Sequence, residues 1–147
     1  MDEKTLQLLD ASLHRCIANT AFFDLFYERF LDSSPKVREK FAKTDFVRQK
    51  RALLASFHLM LLAAEDEEKG PERYLRDIAA QHGKAQLDIG AHYYDLWLDS
   101  LLETVRQCDP ECSPQIVEAW ERVVGVGIRY LLLHYDHPPS ATYPALP

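Results

Sequence analysis

The sequence predicts an all-α fold of six to seven helices packed around one core. Three observations carry that expectation. Apolar residues recur at helical spacing along most of the chain. Ser-Pro pairs stand where one helix would stop and the next begin. No stretch of alternating β-branched residues bounded by Asn-Gly or Asp-Gly turns is present.

Leu6, Leu9, Leu13 and Ile17 form one stripe, predicting a first helix over about residues 3–18. Phe22, Phe23, Phe26, Tyr27 and Phe30 form a second, aromatic stripe over about residues 20–32. Ser33-Ser34-Pro35 ends that helix and opens a short third one, with Ser34 as N-cap, Pro35 at the first helical position and an end near Phe41. A fourth helix, capped by Thr44, carries Phe46, Leu53, Phe57 and Leu61 on one side. The acidic run Glu65–Glu68 and Gly70-Pro71 read as a solvated link. In the fifth helix Leu75, Ile78, Ala79 and His82 lie at i, i+3, i+4 and i+7, and Gly83 is placed to terminate it. A sixth helix runs from about Ala91 to Gln107 with Tyr94, Trp97, Leu98, Leu101, Leu102 and Val105 inward. Asp109-Pro110 breaks it, and Ser113-Pro114 opens a seventh with Ile116, Trp120, Val123, Val124, Ile128 and Leu131. One domain is expected over residues 1–135, followed by a Pro-rich, mobile tail over 136–147.

Composition narrows the function classes. A chain of 147 residues with 47% hydrophobic residues supports a single sizeable core. Seventeen basic against 23 acidic side chains, a formal charge of -6, argue against a nucleic-acid surface, which needs a clustered basic face. No apolar run approaches the roughly 20 residues that span a bilayer. The start, Met1-Asp2-Glu3-Lys4, lacks the basic and apolar regions of a secretory signal, so a cytoplasmic protein is expected. Cys16, Cys108 and Cys112 are an odd number and make no disulfide framework. Cys108 and Cys112 form a C-x3-C pair without further ligands, which is poor zinc evidence; unremarkable thiols are the simpler reading, a redox-switchable loop disulfide the other.

His82 continues an apolar stripe in the last turn of its helix, and a histidine turned inward needs partners for its ring nitrogens. One reading is a core histidine bonded to a backbone carbonyl. The other is an axial ligand, a neutral imidazole offered from a helix end. Its company favours the second. Tyr27 shares a face with Phe23, Phe30 and Leu31, and Gln49 stands four residues before Leu53 on an inner stripe. Two inward polar donors on separate helices and one inward imidazole on a third suit a haem pocket.

Over roughly residues 5–135 the sequence resembles the globins. The resemblance rests on Phe-Asp-Leu-Phe-Tyr-Glu-Arg-Phe at 23–30, Ser-Pro-Lys-Val-Arg-Glu-Lys-Phe ending at Phe41, Gln-Lys-Arg-Ala-Leu-Leu at 49–54 and Ile-Ala-Ala-Gln-His at 78–82. It extends through Tyr-Tyr-Asp-Leu-Trp-Leu-Asp-Ser-Leu-Leu-Glu-Thr at 93–104 and Glu-Ala-Trp at 118–120. The chain is most similar to bacterial single-domain globins and to the globin parts of flavohaemoglobins and globin-coupled sensors.

The resemblance implies a globin-like fold around one haem pocket and a non-covalent b-type haem with its iron. His82 matches the proximal ligand, Phe41 the phenylalanine stacked on the porphyrin, Tyr27 the distal B-helix tyrosine and Gln49 the distal E-helix polar residue. Leu53 matches the apolar residue over the ligand, and Phe57 and Tyr93 complete the expected cofactor contacts. The absence of a C-x-x-C-H motif argues against covalent attachment. The expected ligands are dioxygen, carbon monoxide or nitric oxide, bound for sensing, scavenging or storage. The sequence departs from the flavohaemoglobins at two places. Their last-helix glutamate falls here near Tyr135, with no Glu nearby, and their G-helix tyrosine near His92 or Tyr93. These residues also hold no flavin or nicotinamide domain, so nitric oxide dioxygenase or peroxidase-like turnover would need a separate reductase. A signalling partner, a homodimer through the last two helices with Trp97 and Gly125/Gly127 at its surface, and a haem-free helical interaction module complete the alternatives.

Overall fold

The computed structural model describes residues 1–139, which form eight helices and no strand. They are α1 (Glu3–Ala18), α2 (Phe22–Asp32), α3 (Pro35–Lys40), α4 (Phe46–Glu65), α5 (Gly70–Tyr74), α6 (Arg76–His82), α7 (Ala91–Cys108) and α8 (Pro114–Leu133). Of the tail expected over residues 136–147, positions 140–147 lie outside the described residues.

Local chemistry sets most boundaries. Ser34 accepts a bond from the Lys36 N–H and Ser113 one from the Ile116 N–H, each with proline at the first helical position. Asp45, rather than the expected Thr44, caps α4. Its extended backbone lets the carboxylate reach the Val47 and Arg48 N–H groups, and a carboxylate also complements the positive helix end.

The expected solvated link is only half solvated. Residues 65–69 are exposed, but Gly70 and Pro71 are buried and open α5, the helix beyond the expected six or seven. Glycine is what permits this close turn: a Cβ at position 70 would fall 2.0 Å from the Ala63 carbonyl oxygen.

In the core, α1 packs on α8, α2 on α7, and α4 on both α5 and α8. Phe57 is 1% exposed, its ring 5.5 Å from that of Trp120 and 6.3 Å from that of Trp97. Trp97 also meets Phe26 edge-on at 6.0 Å. It therefore faces this chain's interior, not an outer surface. Gly127 is buried as well, and a Cβ there would meet Met60 and Leu75 at 3.4 Å. Both residues serve packing within the chain, unlike their expected place on a dimer surface.

One polar network joins α1, α8 and the α7–α8 corner. Buried Asp109 accepts bonds from Ser12 Oγ (2.6 Å), Arg15 Nε (2.6 Å) and Nη2 (3.0 Å), and the Glu111 N–H (2.9 Å). Trp120 Nε1 donates in turn to Ser12 Oγ at 2.9 Å. Burial alone would raise the Asp109 carboxyl, but these donors together hold it below the ordinary range. The three cysteines are free thiols, and burial, then the Asp109 charge, pushes Cys16 up to about 12.

Candidate functional site

The expected site residues stand on helices that scarcely touch one another. α6 packs on α5 and α8, and α4 on α1, α5 and α8, but α4 and α6 make at most marginal contact with each other. Tyr27 and Gln49 belong to one side of this arrangement, His82 to the other.

The Tyr27 side is built on the aromatic stripe of α2. Tyr27 is 4% exposed, meeting Phe26 edge-on at 5.0 Å, Phe46 at 5.3 Å and Phe41 at 6.0 Å. Phe41 and Phe46 stack at 6.0 Å. The Tyr27 hydroxyl donates to the backbone carbonyl of Gln49 at 3.5 Å, the long limit of a hydrogen bond. Burial pushes this phenol up to about 12, so it stays protonated and available as a donor. One turn earlier, Asp24 pairs with Lys50 and ties α2 to α4 a second time. The Gln49 side chain is half-buried and makes no hydrogen bond among the described residues. Leu53 follows one turn on and is buried.

The other side centres on His82, half-buried in the last turn of α6. Its Nδ1 lies 2.8 Å from the Ile78 carbonyl oxygen. A carbonyl can only accept, so Nδ1 carries the proton and Nε2 keeps its lone pair. Burial holds the imidazole below its ordinary value near 6.5 while the Ile78 bond opposes this, so the ring is neutral at neutral pH.

Lys40, at the end of α3, connects the two sides. Its ammonium lies over the Tyr93 ring at 5.6 Å and donates to the Leu87 carbonyl at 2.7 Å.

Sequence reasoning put Phe46 and Tyr94 on inward stripes but gave neither a place in the site, and it singled out Lys40 not at all. Tyr94 is 8% exposed, packed with Ala79 of α6 and Leu131 of α8, and its hydroxyl is buried without a partner among the described residues. Tyr93, one of two positions expected to match the family's G-helix tyrosine, is only half-buried and lies under Lys40, and His92 is exposed. An inward position on the α7 stripe was the available signal for Tyr94. The rotation of α7 about its axis decides which of three neighbouring residues turns toward α6.

Elsewhere, one surface cleft lies between α2 and α7, lined by Leu25, Glu28, Asp32, Asp99 and Glu103, and another lies against the end of α8. Neither is lined by His82. Among the described residues, no three His, Cys, Asp or Glu side chains converge as a metal site, and no helix is long and apolar enough to cross a membrane. What the site offers is an imidazole nitrogen without a hydrogen-bond partner among the described residues, with Phe41, Phe46, Ile78, Tyr93 and Trp97 all only partly buried. These features fit a flat apolar cofactor held by one axial bond.

The crystal structure of PA3967 from Pseudomonas aeruginosa PAO1, described as structurally highly homologous to a human hemoglobin, is similar over almost its whole length. The two share 39% identity, with 90% of this chain and 98% of that one covered and a TM-score of 0.84. No curated protein matches the chain. The globin family model matches residues 24–130, a span from α2 into α8 that includes Tyr27 and His82. The chain belongs to the globin family.

Proposed function

We propose that this globin holds a non-covalent b-type haem with His82 as proximal ligand and reversibly binds a diatomic gas, dioxygen first. The observation that carries the reading is the His82 Nδ1–Ile78 bond, which fixes the tautomer and leaves Nε2 free to bind iron. A bound ferrous haem would supply the iron that takes up dioxygen, carbon monoxide or nitric oxide. The protein supplies the rest. Phe41, Leu53 and Tyr93 wall the cofactor, and Phe57, deeper between two indoles, backs that wall. Tyr27 O–H and the Gln49 amide are the distal donors. A ligand carrying partial negative charge accepts from them more strongly than carbon monoxide does.

The Tyr27 proton is held only by a 3.5 Å bond, so turning it toward a ligand sacrifices little. High oxygen affinity suits sensing or scavenging better than facilitated transport. Absorption spectra of the purified protein, reduced and then exposed to oxygen and carbon monoxide, test the reading. A Soret band that moves with each ligand is expected. No band after haem addition would leave a haem-free helical module instead.

A further inference from the structure

Few polar ties join α2 to the start of α4. α2 packs on α3 and α7, and α4 on α1, α5 and α8, but α2 and α4 scarcely touch. The first turns of α4 stand at the surface: Val47 is 62% exposed, Arg48 and Arg51 are exposed, and Gln49 is half-buried. Two polar contacts hold these turns to α2. One is the 3.5 Å bond from the Tyr27 hydroxyl to the Gln49 carbonyl. The other is the ion pair between Lys50 Nζ and the Asp24 carboxylate. Arg48 and Arg51 make no ion pair among the described residues, so neither duplicates it.

Asp24 and Tyr27 lie three residues apart on one side of α2, and Gln49 and Lys50 are neighbours on α4, so both contacts cross the same junction. They answer differently to a bound gas. If the Tyr27 proton turns to the ligand, its bond to the Gln49 carbonyl is given up. What then remains across the junction is the ion pair and the Tyr27–Phe46 ring contact at 5.3 Å, an apolar contact that gives residue 49 no direction. The Lys50 side chain is 33% exposed, its stem partly packed while the ammonium reaches Asp24.

We infer that Lys50 and Asp24 are a positioning pair for Gln49, holding the first turns of α4 against α2 while the Tyr27 hydroxyl is engaged elsewhere; the inference rests on the haem reading above. Neither residue donates to the gas. The pair sets how far the Gln49 amide stands from the Tyr27 hydroxyl, and so whether both protons reach one ligand. An exposed pair of this kind adds little to stability. Releasing it frees a helix end that carries a donor, so the consequence is read in ligand escape rather than in folding. Salt screens the pair, which makes the hold on oxygen sensitive to ionic strength.

The test uses the full chain loaded with haem, comparing Lys50→Met, Asp24→Asn and the exchanged pair, Asp24→Lys with Lys50→Asp, with the parent. Stopped-flow reads oxygen release, and infrared spectra of the carbon monoxide complex read the C–O stretching band, which responds to donors near the ligand. Expected are oxygen release about two- to fivefold faster in each single variant, a moved or split C–O band, and a return toward the parent in the exchanged pair. Added salt should speed release in the parent but not in Lys50→Met. In a Gln49→Leu background the single substitutions should lose their effect, because the pair acts through residue 49. Parent-like release and band in both single variants overturn the inference. An equal acceleration in the Gln49→Leu background overturns it too, marking a direct effect of charge or a loosened fold. If a single variant does not fold, the salt dependence decides: its loss in Gln49→Leu supports the inference and its persistence there overturns it. A parent that takes up no haem overturns the underlying haem reading, an outcome distinct from these.

Discussion

On the distal side, Tyr27 sits at 4% exposure among three aromatic rings, and its proton rests on a 3.5 Å bond. On the proposed proximal side, His82 is half-exposed, its Nδ1 committed at 2.8 Å and its Nε2 uncommitted, and the Tyr94 hydroxyl on α7 has no partner among the described residues. The two walls therefore differ in what they hold in reserve: one a weakly tethered proton in an apolar shell, the other a lone pair on a firmly oriented ring. Removing water strengthens any new bond the phenol makes. Fixing the tautomer does the corresponding work for the imidazole.

Breaking the proximal wall should have the largest effect. His82→Ala is expected to abolish the strong axial field, and an absorption spectrum identical to the parent's would place the ligand elsewhere. The same ring predicts a pH response. Because its folded value lies below the ordinary 6.5, the unfolded chain takes up the proton first, so stability falls as pH drops below 6.5 and is indifferent to His82 above it. Denaturant titrations of His82→Ala against the parent at pH 5 and 8 check the sign, since only the parent should carry this component.

A second perturbation touches neither of the donors proposed for the gas. Asp109→Ala strips the acceptor from Arg15 and Ser12 and is expected to destabilise the fold by about 3 kcal/mol. The Asp109 carboxyl is held low, so its contribution is full above the ordinary carboxylate range near 3.8 and is lost as pH falls through the folded value. Urea midpoints measure both effects, and gas affinity should stay at the parent value.

On the distal wall, Tyr27→Phe removes one charge-assisted donor of about 1.5–3 kcal/mol, so oxygen should leave roughly ten- to a hundredfold faster. Carbon monoxide release should barely change, and equal small effects on both gases in stopped-flow would sink the donor role. The smallest effect belongs to Tyr94→Phe. Deleting a buried hydroxyl without a partner should leave the haem-free protein as stable or more stable, by up to about 1 kcal/mol. A clear loss of stability would mean that this hydroxyl is satisfied after all.

How much of this was legible in the residues depended on the range of the forces involved. Ser34-Pro35 and Ser113-Pro114 announce their helix starts because a cap and a fixed φ act within three residues. Thr44 and Asp45 are adjacent cap-forming residues, and the α3–α4 turn, longer in reach than any local pattern, decides between them. The burial of Gly70 and Pro71 depends on Ala63 lying across the turn, which no hydropathy pattern around Glu65–Glu68 reveals. The stripe through Ile78 and His82 turned the imidazole inward in a last turn, where the structure leaves it half-buried. It could not show which ring nitrogen is free, because that follows from the Ile78 carbonyl. Sequence reasoning left His92 and Tyr93 open for one slot and passed over the inward Tyr94 beside them, although successive residues differ by about 100° around a helix.

The space around the glycines sets how this sequence can drift. A side chain at position 70 collides with the backbone of Ala63, which cannot step aside. At position 127 it meets Met60 and Leu75, whose flexible ends can yield a little; at 90 it meets nothing within 4 Å. Across descendants of a common ancestor, position 70 should stay glycine wherever α5 keeps its turn. Position 127 should admit alanine with matching changes at 60 or 75, and position 90 should wander freely. A lineage carrying a bulky residue at 70 must have rebuilt the α4–α5 corner, and with it the support under α6 and its histidine.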